Sequence, residues 1–575
     1  MSSVLSFFQA RLRAIIIVAA LILAVFGLVS YNRSSQAKLE TALASPDQNV
    51  RDGAVQGLVG SGRLMDVLIN TQNPDEDKTS PQNVNSLQIR KNAADSVNRL
   101  TAANKVTPTQ ALDTGFALCK DSETTVKDTA KAGLATLAGQ SDANLKAVVD
   151  RLSNGDPDIR GAAVDVLGKV GGDKAAAQVD AVLPLPAAQD SAISALQKIG
   201  APSVPLVIAH LEDPKVQNDI AFRQQMVNLL DQIASPISVG ELTKLANKTD
   251  QPSVQRLAQV ALADVVLAAY NGVRTAKDAL TTAQGGLGKA KDAAAQTAAQ
   301  KALTDAQAAV PKAEAALPLL HGVEPTLAAV LQDLNADSEA RAQAALALGR
   351  FASPTAIASL VTALGDFDAR VRDAALAGAQ SAGPPAVGPL AAALTRPGTG
   401  ASAAQALGGI GTPAAVAALN AVLTNPATPV PVREGATVGL GRSGNPAVIP
   451  TLVRSLGDAD GAVASAAQQG LLTPALEHDA IPALVASFNQ PTPAPFNASQ
   501  TLARMGALTQ SDVVPALTKA IAAGGTPAQT WAAVTLGQSG SKDGAVISAL
   551  QSLAQSQNPQ VQYAAQQSLV QLIGT

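Results

Sequence analysis

The sequence is poor in aromatic residues, cysteine and histidine. Aromatics make up 2% of its 575 residues, and it has one cysteine, Cys119, and three histidines, His210, His321 and His478. So few aromatic side chains argue against a β-sandwich or barrel, folds that rely on aromatic and β-branched strands. One cysteine excludes an intramolecular disulfide and a metal site built on several thiolates. We therefore predict a chain that uses no metal and no other cofactor.

Charge of either sign is also scarce. The 42 Lys and Arg residues nearly balance the 45 Asp and Glu residues, which leaves a net charge of −3. Proteins that bind nucleic acid concentrate basic residues on one face, and no such run is present, so nucleic acid is excluded as the main partner. The abundant residues are Ala, Val, Leu and Ile, within a hydrophobic fraction of 47%. This composition favours helices that pack closely through small side chains.

One long apolar run stands near the N-terminus. Residues Ala14 to Val29 carry no charge and span about 24 Å as a helix, against about 30 Å for the hydrocarbon layer. Ser30, Tyr31 and snorkelling arginines can close that gap. We predict a single transmembrane helix over residues 14–31. A short tail, residues 1–13, would precede the helix, and a juxtamembrane linker, residues 32–44, would follow it.

The orientation of this helix follows from the shortness of the tail. A signal anchor with a short N-terminal tail leaves the tail in the cytoplasm and carries the rest of the chain across. We expect the body to be extracytoplasmic, in the periplasm or on the surface of a bacterial cell. The alternative is a cleavable signal peptide, for which Ser35-Gln36-Ala37 would be the small-x-small cleavage site.

From residue 45 onward the chain repeats itself. An aliphatic residue is followed at spacings of four by Ala and Leu, as in Ile159, Ala163 and Leu167, and this spacing forms one stripe on a helix. Eight later copies have their central alanine 28 to 34 residues apart, at Ala344, Ala375, Ala403, Ala436, Ala467, Ala498, Ala532 and Ala565. Gly and Pro in the intervening linkers end one helix and begin the next. The pattern predicts an all-α fold, a solenoid of helical hairpins.

Several of these helices open with a similar short motif. One example is Asp156-Pro157-Asp158-Ile159-Arg160, and others run from Asp47 to Arg51, from Asp368 to Arg372 and from Thr428 to Arg433. An Asp before a helix can cap its N-terminus, and the basic residue can reach an acidic or carbonyl group of the adjoining turn. We therefore interpret these residues as structural.

The motif and its period resemble the HEAT-repeat superfamily, most closely its short phycobilisome-lyase-like branch. The resemblance covers two blocks, residues 45–263 and 321–575, and it implies a solenoid whose members act as scaffolds, adaptors, lyases or hydroxylases. Between the blocks, residues 264–320 are rich in Ala and Lys. We predict an inserted helical hairpin there, with the reversal at Gly285, Gly286 and Gly288, and a flexible linker is the alternative.

The enzymatic relatives need chemistry that is sparse in this sequence. The iron-dependent hydroxylases hold their metals with several His-Glu dyads, whereas the only adjacent pair is the reversed Glu477-His478. Lyases that handle an open-chain tetrapyrrole favour an aromatic-lined cleft, and Trp531 is the only tryptophan. A solenoid does offer area, and its second helices carry polar candidates for contacts with a partner: Lys244, Thr362, Asn420, Arg454 and Lys519.

We predict a non-catalytic, membrane-anchored scaffold or adaptor. Its protein partners would bind the solenoid surface, and no small-molecule substrate is indicated. The alternatives are a membrane-tethered enzyme of the phycobilin-lyase type and a structural envelope spacer that self-associates through residues 264–320.

Overall fold

The computed structural model describes residues 41–62, 81–248, 250–425, 427–506 and 510–574, together with residues 38 and 64. Throughout these residues the regular elements are helices, as predicted. The predicted transmembrane segment, residues 14–31, lies outside them. No helix in the described part of the chain combines the length and the apolar character that crossing a bilayer requires. The chain divides into two compact units, Met1–Ser238 and Val239–Thr575.

The first unit is built from helical hairpins. Its described α-helices are α1 (Gln48–Gly60), α2 (Pro81–Ala102), α3 (Pro108–Leu118), α4 (Thr124–Gln140), α5 (Asp142–Val149), α6 (Pro157–Val170), α7 (Gly172–Asp180), α8 (Gln189–Ile199), α9 (Val204–Glu212) and α10 (Ile220–Ile233). Helices α1, α2, α4, α6, α8 and α10 pack side by side in chain order and form one layer, which we call the marker layer. The second helices α5, α7 and α9 pack against each other in the other layer.

The second unit repeats this arrangement over a longer stretch. Its described α-helices are α11 (Val239–Ala246), α12 (Pro252–Lys289), α13 (Ala293–Glu314), α14 (Glu324–Gln332), α15 (Ser338–Phe351), α16 (Pro354–Ala363), α17 (Ala369–Ala382), α18 (Val387–Ala393), α19 (Gly400–Ile410), α20 (Pro413–Thr424), α21 (Val430–Arg442), α22 (Ile449–Ser455), α23 (Gly461–Leu471), α24 (Glu477–Ala486), α25 (Ala494–Gly506), α26 (Gln510–Ala523), α27 (Thr526–Gln538), α28 (Gly544–Leu553) and α29 (Pro559–Ile573). Its marker layer contains α12 and the odd-numbered helices from α15 to α29. The even-numbered helices from α14 to α28 form the second layer.

The alanines and leucines of the predicted stripe belong to the core, whereas its aliphatic position is exposed at Val50 and half-buried at Ile159 in the first unit. Val432, Ala436 and Leu440 of α21 are buried, as are Ala163 and Leu167 of α6. The helices that carry this stripe pack against the neighbouring marker helices. Burying these side chains between two layers supplies most of the hydrophobic stabilisation that short helices of this kind need.

Glycines bring neighbouring marker helices into backbone contact. A Cβ atom placed on Gly408 of α19 would lie 2.1 Å from the Cα of Gly439 in α21. One on Gly349 of α15 would lie 2.4 Å from the carbonyl oxygen of Gly378 in α17. No side chain fits at these crossings without moving a helix, so the glycines that follow the stripe leucines are packing residues.

The residues of the repeated motif make the predicted contacts: the aspartate caps the marker helix, and the arginine binds carbonyl groups of the loop before it. The Asp156 side chain accepts a hydrogen bond from the Asp158 amide at 2.9 Å and caps α6. Arg160 donates to the carbonyls of Asn154 and Gly155 at 2.6 and 3.1 Å. The same two contacts recur at Asp47 with Arg51 and at Asp368 with Arg372. The architectural role of the motif is confirmed at these sites.

One motif site has no aspartate before its helix and no side-chain cap. Helix α21 is preceded by Pro429, which offers no side-chain cap, and Thr428 lies one residue farther out. The Thr428 carbonyl accepts a hydrogen bond from Arg433 at 2.8 Å. Thr428 therefore serves the arginine and does not cap the helix.

A second kind of arginine pairs with an aspartate in the next loop. Arg341 of α15 and Asp366, which precedes α17, form an ion pair whose side chains are only 1% and 3% exposed. Arg90 and Asp121 form the corresponding pair in the first unit, 2.8 Å apart and equally buried. Each pair ties a marker helix to the loop that opens the following one.

The segment between the predicted blocks is helical. Helix α12 contains 38 residues without interruption, and α13 packs against it after a connection of residues 290–292. Two packed helices joined by so short a connection run in opposite directions. The predicted block boundary at residue 264 falls inside α12, because this helix serves first as a marker helix and then continues beyond Ala276, its last buried residue.

The predicted reversal at the glycine cluster is wrong. Gly285, Gly286 and Gly288 lie within α12. Each glycine lowers the stability of a helix by about 1 kcal/mol relative to alanine, and the neighbouring Ala and Leu residues, which favour helix, offset part of that loss. The reversal follows at residues 290–292, where the Asp292 side chain accepts a hydrogen bond from the Ala295 amide at 2.8 Å and starts α13.

Candidate protein-binding surfaces

A groove of about 740 Å³ lies on the marker layer of the first unit. Helices α4, α6 and α8 line it, and Pro186 and Ala187 of the loop before α8 close one side. Gly161 and Ala162 of α6 also line the groove. A Cβ atom on Gly161 would meet no other atom within 4 Å, so the groove is open at this point.

Two lysines and one aspartate from these three helices meet in the groove. Lys131 of α4 donates to Asp165 of α6 at 2.5 Å, and Lys198 of α8 donates to the other carboxylate oxygen. Burial would raise the pKa of Asp165, but the hydrogen bonds from both lysines outweigh it and hold that pKa below the usual 3.8. Burial would likewise lower the pKa of Lys131, but the bond to Asp165 raises it. Asp165 and Lys131 are therefore both charged near neutral pH. Two lysines face one carboxylate in this cluster.

Sequence reasoning did not find this cluster. Lys131 and Asp165 are 34 residues apart, and Asp165 and Lys198 are 33 apart, so each step is one repeat. Charges that recur at the repeat period lie on neighbouring marker helices. That signal was present in the sequence and would have placed the three residues side by side.

Cys119 lines the same groove. Its side chain is buried and lies at the C-terminal end of α3. Burial raises the pKa of the Cys119 thiol to about 12. The thiolate, which is the reactive form, is therefore almost absent near neutral pH.

Cys119 is expected to resist thiol reagents in the folded protein. At about pH 8, a thiol of pKa about 12 is about a thousandfold less ionised than one at the usual 9.0. The measurement is the rate of alkylation by iodoacetamide, followed by mass spectrometry, with the protein in denaturant as the control. Similar rates in the folded and the denatured protein would contradict this expectation.

The three histidines lie at helix ends or on the surface. His210 is in the last turn of α9, with its Nε2 2.8 Å from Asp180 of α7. His478 begins α24 and is exposed, and His321 is also exposed. In the part of the chain that the structure describes, no group of three or more His, Cys, Asp or Glu side chains could hold a metal ion.

His210 is expected to make the first unit more stable at lower pH. The hydrogen bond with Asp180 raises the pKa of His210 above 6.5, although burial opposes the shift. A raised pKa in the folded state means that the contribution is fully present below about pH 6.5 and is lost as the pH rises through the raised value. We expect a loss of less than about 1 kcal/mol, because the pair is partly exposed.

The measurement for His210 is the thermal midpoint of unfolding at about pH 6 and about pH 8. The matched variant is His210→Gln, which keeps a polar side chain but cannot titrate. The wild-type midpoint should fall more than that of the variant over this range. An equal pH dependence of the two proteins would contradict the assignment.

The five polar residues predicted on second helices do lie there. They are Lys244 of α11, Thr362 of α16, Asn420 of α20, Arg454 of α22 and Lys519 of α26. Lys244 pairs with Glu241 at 2.9 Å on its own helix. Lys519 lines a second cavity of about 670 Å³ between α26 and the start of α28, opposite Asp543. The structure does not bring the five residues together into one site.

Comparisons with known proteins give one family match. Residues 323–400 and 389–472 match the model for HEAT repeats. No curated protein matches the chain.

Solved structures resemble the chain only distantly. The crystal structure of Kap121p is 12% identical, with a TM-score of 0.39, and the alignment covers 94% of this chain and 56% of Kap121p. The chain thus spans just over half the length of that protein. Importin beta is 12% identical, with a TM-score of 0.25 and coverage of 95% and 80%. Human deoxyhypusine hydroxylase in complex with glycerol is 16% identical, with a TM-score of 0.21 and coverage of 60% and 98%.

The family match falls on helices α14 to α23, where the marker layer and the second layer alternate most regularly. The stripe of buried alanines, the capping aspartates and the glycine crossings all occur within it. The stretch from residue 323 to residue 472 is therefore similar to HEAT repeats.

Proposed function

We propose that this chain is a membrane-anchored, non-catalytic scaffold that binds other proteins through its stacked helical hairpins. The observation that carries the proposal is the two-layer stacking within each unit, which repeats the same small packing unit and leaves long helical faces exposed. Solenoids of this type bind by summing many modest contacts over an extended surface. The Asp156-Pro157-Asp158-Ile159-Arg160 motif of the first unit supports the short phycobilisome-lyase-like form of the repeat.

The anchor is the apolar segment of residues 14–31, and the body lies outside the cytoplasm. Sixteen uncharged residues flanked by arginines support the anchor. Alkaline carbonate extraction of membranes tests the first part: the full chain should stay in the pellet, and a variant without residues 14–31 should be released. Protease added to intact cells after removal of the outer layers tests the second part, because an extracytoplasmic body is digested.

Scaffold function is tested by cross-linking the tagged chain in cells and identifying co-purified proteins by mass spectrometry. The matched control is residues 1–44 with the same tag, which keeps the anchor and removes both solenoid units. The purified material is also analysed for metals and for visible absorbance. Protein partners that require the solenoid support the proposal. A stoichiometric metal or pigment without a protein partner would overturn it in favour of an enzyme.

A structural spacer is the second candidate, and the projecting part of α12 favours it. Beyond Ala276 this helix has no buried residue, so it extends away from the marker layer together with α13. The Lys277 Nζ and Glu314 Oε1 atoms are 2.9 Å apart at the base of this projection. A short glycine linker can therefore replace residues 278–313. Light scattering compares the two proteins. A smaller oligomer after deletion supports the spacer, and an unchanged size contradicts it.

A further inference from the structure

The two lysines of the groove in the first unit have hydrogen-bond donors to spare. Each ammonium group has three N–H donors, and Lys131 and Lys198 each direct one of them to Asp165. Within the described residues neither lysine makes another hydrogen bond or ion pair with the protein. Four donors therefore face the groove or water, around a carboxylate that compensates only one of the two charges.

The rest of the groove distributes charge unevenly. Asp158 and Asp190 lie in the first turns of α6 and α8, and Lys127 and Arg160 lie in the first turns of α4 and α6. Arg160 is engaged with two loop carbonyls. Positive charge is therefore in excess around Lys131 and Lys198, where Asp165 is the lining carboxylate.

Neutral side chains complete the groove. Gln197 of α8 can donate hydrogen bonds beside the lysines, whereas the Ser194 hydroxyl already donates to the Asp190 carbonyl at 2.9 Å. Gly161 leaves the floor of the groove open. Leu185, next to the groove residue Pro186, is 52% exposed and provides an apolar surface at the edge. A volume of about 740 Å³ is in the range that accepts a few residues of an extended peptide.

We propose that this groove binds an acidic segment of a partner protein, with a carboxylate of the segment hydrogen-bonded to the ammonium groups of Lys131 and Lys198. The inference rests on the proposed scaffold function and gives the partner a chemical class. The partner carboxylate and Asp165 would lie on either side of the two lysines, and charge-assisted hydrogen bonds of this kind are the stronger ones in proteins.

Binding is tested with the full chain and a fluorescein-labelled glutamate decapeptide, followed by fluorescence anisotropy at low salt. A lysine decapeptide is the probe of opposite charge. We expect saturable binding of the glutamate peptide that weakens as salt is added, because exposed charge pairs are screened. No saturable binding of the glutamate peptide, or equal binding of both peptides, would overturn the proposal.

Two variants locate the site. Lys198→Gln removes one ammonium group and should lower the affinity for the glutamate peptide by about fivefold, the factor expected for one charge-assisted contact. Its control is Lys174→Gln, which removes the same charge from an exposed lysine that pairs with Asp142 on the second layer. Equal weakening by the two variants would show a general charge effect and would overturn the proposal.

The second variant fills the groove without changing charge. Gly161→Gln places a side chain where no neighbour lies within 4 Å. It should lower the affinity for the glutamate peptide without disturbing the fold. Gly139→Gln is its control, at an equally open glycine of α4 outside the groove. An unchanged affinity in Gly161→Gln overturns the groove as the site. Partner recruitment in the cross-linking experiment would still stand, so the two proposals fail separately.

Discussion

Replacing Asp366 by alanine is expected to destabilise the second unit by about 3–5 kcal/mol. Arg341 would keep its charge inside the protein, where its side chain is only 1% exposed, and would lose the carboxylate that compensates it. Asp366 also accepts a hydrogen bond from the Asp368 amide at 2.8 Å, so the loop before α17 loses a second contact. Removing one partner of a buried pair costs far more than the intact pair contributes, because the remaining charge is left in a medium of low polarity.

The measurement for Asp366→Ala is urea unfolding followed by circular dichroism, combined with hydrogen exchange of peptides from α15 and α17. The control is Glu339→Gln, which removes the exposed charge pair of Glu339 with Arg256 in the same unit. Such an exposed pair contributes about 1 kcal/mol or less. If Asp366→Ala and Glu339→Gln cost the same, the interpretation of a buried, uncompensated arginine is wrong.

Replacing Gly408 by alanine is expected to cost about 3 kcal/mol, at the upper end of overpacking effects. The new Cβ would lie 2.1 Å from the Cα of Gly439, and backbone atoms cannot rotate away as a side chain can. Helices α19 and α21 would have to separate, and the buried contacts of both stripes would weaken along their length.

Gly388→Ala is the matched control for Gly408→Ala. Gly388 lies in α18, and a Cβ there would meet nothing within 4 Å. Alanine should therefore stabilise α18 by about 0.5–1 kcal/mol through its lower conformational entropy in the unfolded chain. Both variants are measured by thermal unfolding. A stable Gly408→Ala protein would show that the two helices do not depend on backbone contact at this crossing.

Local features of the fold were predictable from the sequence. The stripe through Ala436 and the cap at Asp156 depend on spacings within one helix and its loop, which periodicity reports directly. The pair of Arg341 with Asp366 was not predictable in the same way, because the pairing depends on how one hairpin stacks on the next. The glycine cluster misled for a related reason. Glycine signals a turn in isolation, but the hydrogen bond of Asp292 fixed the reversal elsewhere.

The groove shows the same limit. Its three charged residues belong to three helices, and each of them alone resembles an ordinary surface residue. Only the stacking of α4, α6 and α8 places Lys131 and Lys198 on the two oxygens of Asp165. Site prediction in such chains therefore requires a comparison of equivalent positions in successive repeats.

Because α12 is one uninterrupted helix, its projecting part can transmit force to the packed helices of the second unit. The 13 residues beyond Ala276 extend the helix by about 20 Å, and they share one backbone with the part packed on α15. The ring centroids of Tyr270 and Phe351 are 5.8 Å apart, and Arg350 donates a hydrogen bond to the Asn271 side chain at 3.4 Å. These contacts hold the base of the projecting segment against α15. A force applied to the C-terminal end of α12 would act as a torque on α15, because the uninterrupted helix has no hinge that could absorb it. The force would therefore be transmitted into the packed repeats of the second unit.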